Sequence, residues 1–252
     1  MTKIFKQLAR HWAACLAVAA LLIVQAYCDL SLPDYTSKIV DIGIQQGGIE
    51  SSVPYTVRDT TLQALELLMT EDEAALADQW YSGPDADGLR YLSKDADTAA
   101  AELESAFTTP DVVLYMAAAQ NAARVAGSTE TVTPTIYDLD AVSQQFAAMA
   151  QAPGAREMLQ NQLAGALSQL DGTVADNLAS QAVLLVSLEY EAQGIAHDVQ
   201  IAYLLRIGGQ MLGLTLLMVA AAVAVGFIAS RVSAAIGRDL RRKVFSTVVG
   251  YS

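Results

Sequence analysis

Cysteine is nearly missing from this sequence. Cys15 and Cys28 are the only two, and both sit in one uncharged run. Neither a disulfide framework nor a thiolate metal centre has partners here, so the two thiols read as packing residues. Histidine is as scarce: His11 and His197 lie far apart, and neither has acids or thiols around it at metal-ligand spacing. Proline stops at Pro153, so nothing in the last part of the chain forces a helix to break. Catalytic signatures are missing too. There is no G-x-x-x-x-G-K-[ST] phosphate loop, no G-x-S-x-G, no H-E-x-x-H and no kinase motif set. No catalytic, cofactor-binding or metal-binding residue is expected.

What is present is a strong segregation of charge. The net charge is −12, from 27 acids against 15 lysines and arginines. Lys3, Lys6 and Arg10 open the chain, and no acid precedes Asp29. Arg231, Arg238, Arg241, Arg242 and Lys243 stand near its end, opposed by Asp239 alone. All the remaining acids fall between Asp29 and Asp198, where only Lys38, Arg58, Arg90, Lys94, Arg124 and Arg156 oppose them. The order is plus, minus, plus.

The two changes of sign coincide with two apolar runs. WAACLAVAALLIVQAYC, Trp12 to Cys28, is extended by Leu30 to Leu32. IGGQMLGLTLLMVAAAVAVGFIA, Ile207 to Ala229, exceeds the roughly 20 residues that span a bilayer and is rich in the small residues of packed membrane helices. Basic flanks outside both runs place both ends in the cytoplasm. The alternative for the first run is a cleaved secretory signal, whose n-region and h-region fit, but no small-x-small site precedes Asp29, so a retained span is expected. The fold class expected is an all-α membrane protein: a two-helix transmembrane hairpin with a long cytoplasmic extension and a helical extracytoplasmic domain. Residues 1–48 hold the cytoplasmic N-terminus, the first span and its outer extension. Residues 49–200 form the acidic insertion, and 201–252 the second span running into the cytoplasm.

Helix signals recur through the middle. Asp34 to Gln46 follows Pro33 with an acidic cap and closes at Gly47-Gly48. Thr56-x-x-Asp59 and Thr70-x-x-Glu73 have the spacing of capping boxes. Ser82 to Gly88 reads as a loop, and Thr109-Pro110 as a cap and first-turn proline opening a helix over Val112 to Val125. Thr135-x-x-Asp138 and Pro153 open helices over about Leu139 to Gln151 and Arg156 to Leu170, and Thr173 caps the last one. Five to seven helices are expected, with no strand.

Few side chains invite a site. Asp85-x-Asp87-Gly88 fails as a calcium loop, because the position that needs a bidentate glutamate is Lys94. The basic cluster from Arg238 to Lys243 lies directly below a span, which makes it an orientation signal and lipid contact rather than a nucleic-acid site. Gln25 and Gln210 are amides within the spans, candidates for helix packing or for lining a pathway. Beyond Ala229 an unbroken helix would descend ~35 Å at ~1.5 Å per residue. It carries Ile236, Leu240, Val244 and Val248 on one face.

Two blocks resemble a known family. LPDYTSKIVDIGIQQG, Leu32 to Gly47, resembles the outer end of the first helix of bacterial type IV ABC exporters, with Leu32, Pro33, Ile39, Val40, Asp41, Gly43 and Ile44 at the family positions. GFIASRVSAAIGRDLRRKVFSTVVGYS looks like that family's second helix entering the first intracellular loop, matched at Arg231, Gly237, Leu240, Arg241, Val244, Phe245, Val248, Tyr251 and Ser252. The family usually joins these helices by a short loop, and here a domain stands between them. The resemblance implies a half-transporter of which this sequence is the N-terminal part, in the bacterial cytoplasmic membrane. Arg241, Phe245, Tyr251 and Ser252 would then approach a coupling helix. The resemblance also implies partners: the lipid bilayer, a second half-transporter, identical or different, and a nucleotide-binding domain outside this sequence that holds ATP and magnesium. A two-span sensor, such as a chemoreceptor input module, has the same layout. Its linker usually begins with a proline soon after the second span, and none occurs here.

Overall fold

The computed structural model describes residues 12–128, 130, 132–150, 152, 154–167 and 173–249. The chain divides into two compact units. One combines the residues up to Val40 with those from Leu205 onward, and the other runs from Asp41 to Leu204. The basic N-terminal residues Lys3, Lys6 and Arg10, His11, Pro153, Tyr251 and Ser252 lie outside the described residues.

The first unit holds two helices long and apolar enough to cross a membrane. Helix α1 spans Trp12–Lys38. It passes through Pro33 without a break, where the sequence suggested a fresh start at Asp34. The proline removes one backbone donor, but the hydrogen bonds on both sides persist. Hydroxyls add contacts nearby: Ser31 Oγ donates to the Tyr27 carbonyl at 2.9 Å and Thr36 Oγ1 to the Leu32 carbonyl at 3.1 Å. Helix α8, Ala196–Val249, is a single run of 54 residues and contributes its part from Leu205 to this unit. The absence of proline and the supply of Ala, Leu and Met make that length unsurprising.

The second unit begins at Asp41, within a π-helical stretch, Ile39–Gln45, that follows α1. It closes at Gly47 and Gly48, with φ +64° and +83°, a conformation that side chains with a Cβ rarely adopt. Space matters as well as φ. A Cβ on Gly48 would lie 2.9 Å from the Tyr203 Cβ and 3.0 Å from the Gln200 Cα. Gln200 Nε2 also donates to the Gly43 carbonyl at 2.9 Å, fixing this turn to the start of α8.

Six further helices follow: α2 Asp59–Leu68, α3 Glu71–Trp80, α4 Ala100–Ala126, α5 Ile136–Ala150, α6 Ala155–Leu167 and α7 Thr173–Ala192. A short 3-10 turn, Lys94–Ala99, leads into α4. Three sequence expectations are corrected here. Thr56 caps nothing: Thr56–Arg58 is strand β1, paired antiparallel with β2, Leu89–Tyr91, so the domain is not purely helical. Helix α4 starts well before Thr109 and carries Pro110 in its interior, because Ala100 to Phe107 is itself a strong helix-forming stretch with Leu103, Ala106 and Phe107 buried. By contrast Thr70 does form the capping box with Glu73, each side chain bonding the other's backbone N–H.

The core sits where α4 packs against α5 and α7 and where α2 packs against α5. Leu62 and Leu65 from α2 meet Leu103, Phe107 and Leu114 from α4 and Leu139 from α5, all fully or nearly fully buried. A smaller cluster of Ile49, Val183, Val186 and Tyr190 closes the side near the start of α8. Replacing Phe107 by Ala should destabilise the domain by about 3–5 kcal/mol through lost burial and a residual cavity. Tyr137→Ala, at an exposed position, should change stability by less than about 0.5 kcal/mol. Chemical denaturation followed by circular dichroism separates the two.

Candidate functional site

Two regions carry polar or reactive groups that a fold alone does not require. The first is the pair of apolar helices. An apolar groove of about 460 Å³ runs between them, with Cys15, Val18 and Leu22 of α1 facing Ala229, Val232 and Ile236 of α8. Cys28 of α1 and Ile207 and Ala221 of α8 are buried.

Gln25 is half-buried and Gln210 exposed, and neither side chain makes a hydrogen bond among the described residues. The structure does not bring them together. Arg241 and Phe245 flank a shallow apolar hollow of about 420 Å³ with Leu240 and Val244. Phe245 is 73 % exposed, so this stripe has no packing partner among the described residues, although Ile236 higher on the same face lines the groove. Tyr251 and Ser252, the other two residues expected near a coupling helix, lie outside the described residues.

The second region is inside the helical domain, and no local sequence pattern points to it. Glu189 on α7 has 1 % of its surface exposed. It accepts from the Arg58 backbone N–H at 2.8 Å, from Arg58 Nε at 3.0 Å and Nη2 at 2.9 Å, from Thr61 Oγ1 at 3.0 Å and from Gln193 Nε2 at 3.0 Å. Arg58 also pairs with Asp140 of α5. Burial works against the charge on Arg58, but the bonds and charge of Glu189, then those of Asp140, outweigh it and hold the guanidinium protonated. Beside this network, Tyr190 Oη accepts the Tyr55 backbone N–H at 3.0 Å, with the two rings 4.9 Å apart.

Asp111 on α4 is the anomaly. It is completely buried, and neither carboxyl oxygen has a hydrogen-bond partner among the described residues. Burial pushes its carboxyl far above the ordinary range, and the negative charge of Glu189 adds to the shift. Asp111 is therefore held neutral while Glu189 keeps its paired arginine. The remaining acidic motif, Asp85-x-Asp87-Gly88, is structural. Asp85 accepts the backbone N–H groups of Asp87 and Leu89, each at 2.9 Å, and the Tyr91 hydroxyl at 3.0 Å.

Comparison with protein-family models, with curated proteins and with solved structures finds no match. Function therefore has to be read from the chain's own geometry. The two helices offer an apolar surface with sparse amides, and the domain offers a charge-paired core and clefts between its helices. Among the described residues, neither region presents a nucleophile beside a general base.

The neutral Asp111 gives a pH prediction. Its folded pKa is raised, so its stabilising contribution is complete below the ordinary carboxylate pKa and is lost as pH climbs toward the folded value. Asp111→Asn removes that loss. The variant should match the original chain near pH 4 and melt higher at pH 7–8, by about 2–4 °C for each kcal/mol recovered. Thermal unfolding across that pH range measures the difference.

Proposed function

We propose that this chain forms the first membrane hairpin of a bacterial ATP-binding cassette exporter of the type IV class, carrying a helical domain on the outer side of the cytoplasmic membrane. The observation that carries the reading is the run of α8. It continues as regular helix from Ala196 to Val249, roughly 80 Å, against a hydrocarbon core of about 30 Å. A span that only anchors a domain has no need of that length. A helix that must reach from the membrane toward a distant ATPase does. The exporter-like residues Gly237, Leu240, Arg241, Val244 and Phe245 all fall on its lower part.

Helix α1 supports the same reading from the other end. It and its π-helical continuation carry Leu32, Pro33, Ile39, Val40, Asp41, Gly43 and Ile44, the residues of the first exporter-like block. The basic residues Arg231, Arg238, Arg241 and Arg242 set the cytoplasmic side, and the acidic domain is then external. In this arrangement Gln25 and Gln210 contribute polar groups to the membrane interior. The exposed stripe of Leu240, Val244 and Phe245 awaits packing by other helices of the transporter. ATP and magnesium fit no residue here, since the sequence has no phosphate loop. They belong to a nucleotide-binding domain that acts with this hairpin.

The test is the company the hairpin keeps. An antibody raised against residues 49–200 should recover, from solubilised native membranes, peptides with a G-x-x-x-x-G-K-[ST] loop and an L-S-G-G-Q-type signature. They would be found in the same polypeptide or in one bound to it, by mass spectrometry. Recovery of histidine-kinase or methyl-accepting helices instead would replace the exporter by a two-span sensor.

A further inference from the structure

The end of α7 is fastened to the chain around β1 by three neighbouring side chains. Glu189 accepts the Arg58 backbone N–H at 2.8 Å, and Tyr190 accepts the Tyr55 backbone N–H at 3.0 Å. Gln193 Nε2, one residue beyond the helix, donates to the Thr56 carbonyl at 3.3 Å. The same helix is also seated on α4, where Leu185 and Leu188 join Phe107 and Leu114 in one buried cluster. Asp111 stands one turn from each of Phe107 and Leu114 on that face of α4, with no exposed surface. An apolar side chain would leave nothing unpaired in such a seam, whereas both Asp111 oxygens lack a partner among the described residues. What the carboxyl adds to this place is a proton that it can lose.

Among the described residues, few titratable groups face Asp111. From α7 comes the carboxylate of Glu189, held by Arg58, and from the residue after α3 comes the Tyr81 hydroxyl, which donates to the Pro54 carbonyl. On α5, Asp138 is held by Asn121 and Asp140 by Arg58, and on α2 and α3, Asp59 and Asp78 are held by Arg90. None of these four acts on Asp111, and no cation does.

We propose that the Asp111 proton is a latch: α7 stays seated on α4 while the carboxyl is neutral, and the seam between them opens when the proton leaves. Two negative charges, on Asp111 and Glu189, cannot share one buried seam with a single guanidinium that Asp140 also holds. Burial raises the carboxyl of the closed seam far above its ordinary range, and water returns it to that range once the seam opens. Between the two values each opening releases one proton, so the opening constant rises about tenfold for each pH unit. Acid therefore closes the latch and alkali frees it. Global unfolding would release the same proton. A latch differs in that α4 and α7 open together while α2 and α3 stay closed. The device rests on the helical domain alone and is independent of the exporter reading.

Hydrogen exchange read by mass spectrometry on the whole chain in lipid nanodiscs, corrected for the intrinsic exchange rate, tests this between pH 5 and 7. Amides in 107–118 and 181–192 should lose protection about tenfold for each pH unit, and Asp111→Asn should remove that slope. Over 59–80 the same substitution should change nothing, because burial of Glu66, whose carboxyl is pushed up to about 7, sets the pH dependence of α2 by itself. The slope of the original chain decides even where the variant folds poorly: protection over 181–192 that does not change with pH overturns the proposal. So does a slope that survives Asp111→Asn. An effect of that substitution as large over 59–80 as over 181–192 also overturns it, since Asp111 would then govern global unfolding only.

Discussion

The apolar surface of α1 and α8 is larger than these two helices can hide from water. In the most apolar stretch of each, only 6 % of residues are buried. Cys28, Ile207 and Ala221 are covered, while Leu16, Ile23, Leu212, Val223 and Phe227 stand exposed. A core helix of a soluble protein would bury that face, at about 25 cal/mol for each Å² of apolar surface. The proposed bilayer does so instead, and it imposes the remaining features. Spanning segments must satisfy their own backbone groups, and both elements are unbroken helices. Charge must leave the spans, and it collects by sign on either side of them.

Inside the helical domain a different rule governs. A carboxylate taken out of water is tolerable only when its lone pairs are filled, and Glu189 fills them with Arg58, Thr61 and Gln193. That one group fastens α7 to β1 and α2, and through Arg58 and Asp140 to α5. The same low-dielectric surroundings cannot accept a second, unpaired charge nearby. Asp111 accordingly stays protonated, and its two unpartnered oxygens are the visible cost. Paired and neutral acids within one core are two answers to the same desolvation.

How much of this was legible in the sequence follows the range of each interaction. Apolar runs and the Thr70–Glu73 box are local, and both reappear in the structure. Pro33 and Pro110 misled, because a proline breaks a helix only where the flanking turns are weak. Here Tyr27 to Leu32 and Leu103 to Phe107 hold the helix on the upstream side. Thr56 was drawn into a strand by its pairing with Tyr91, a contact that capping-box spacing cannot foresee. The Arg58–Glu189 pair joins residues 131 positions apart, beyond any local pattern. Asp111 looks like any other acid on a helix until α7 is packed against it. Of the residues singled out beforehand, Gln25 and Gln210 lie on the apolar helices, but without hydrogen-bond partners among the described residues, and Arg241 and Phe245 sit on a helical stripe that no described residue covers.

The central claim is that α1 and α8 cross a membrane with the helical domain outside and the basic end of α8 within. Cysteine accessibility measures this directly. With Cys15 and Cys28 replaced by Ala, single cysteines at Tyr137 and Phe245, both strongly exposed, report the two sides. In intact cells stripped of any outer barrier, a membrane-impermeant maleimide should label Tyr137→Cys at once and Phe245→Cys only after the membrane is permeabilised. Labelling of both before permeabilisation, or of Phe245→Cys alone, would contradict the account.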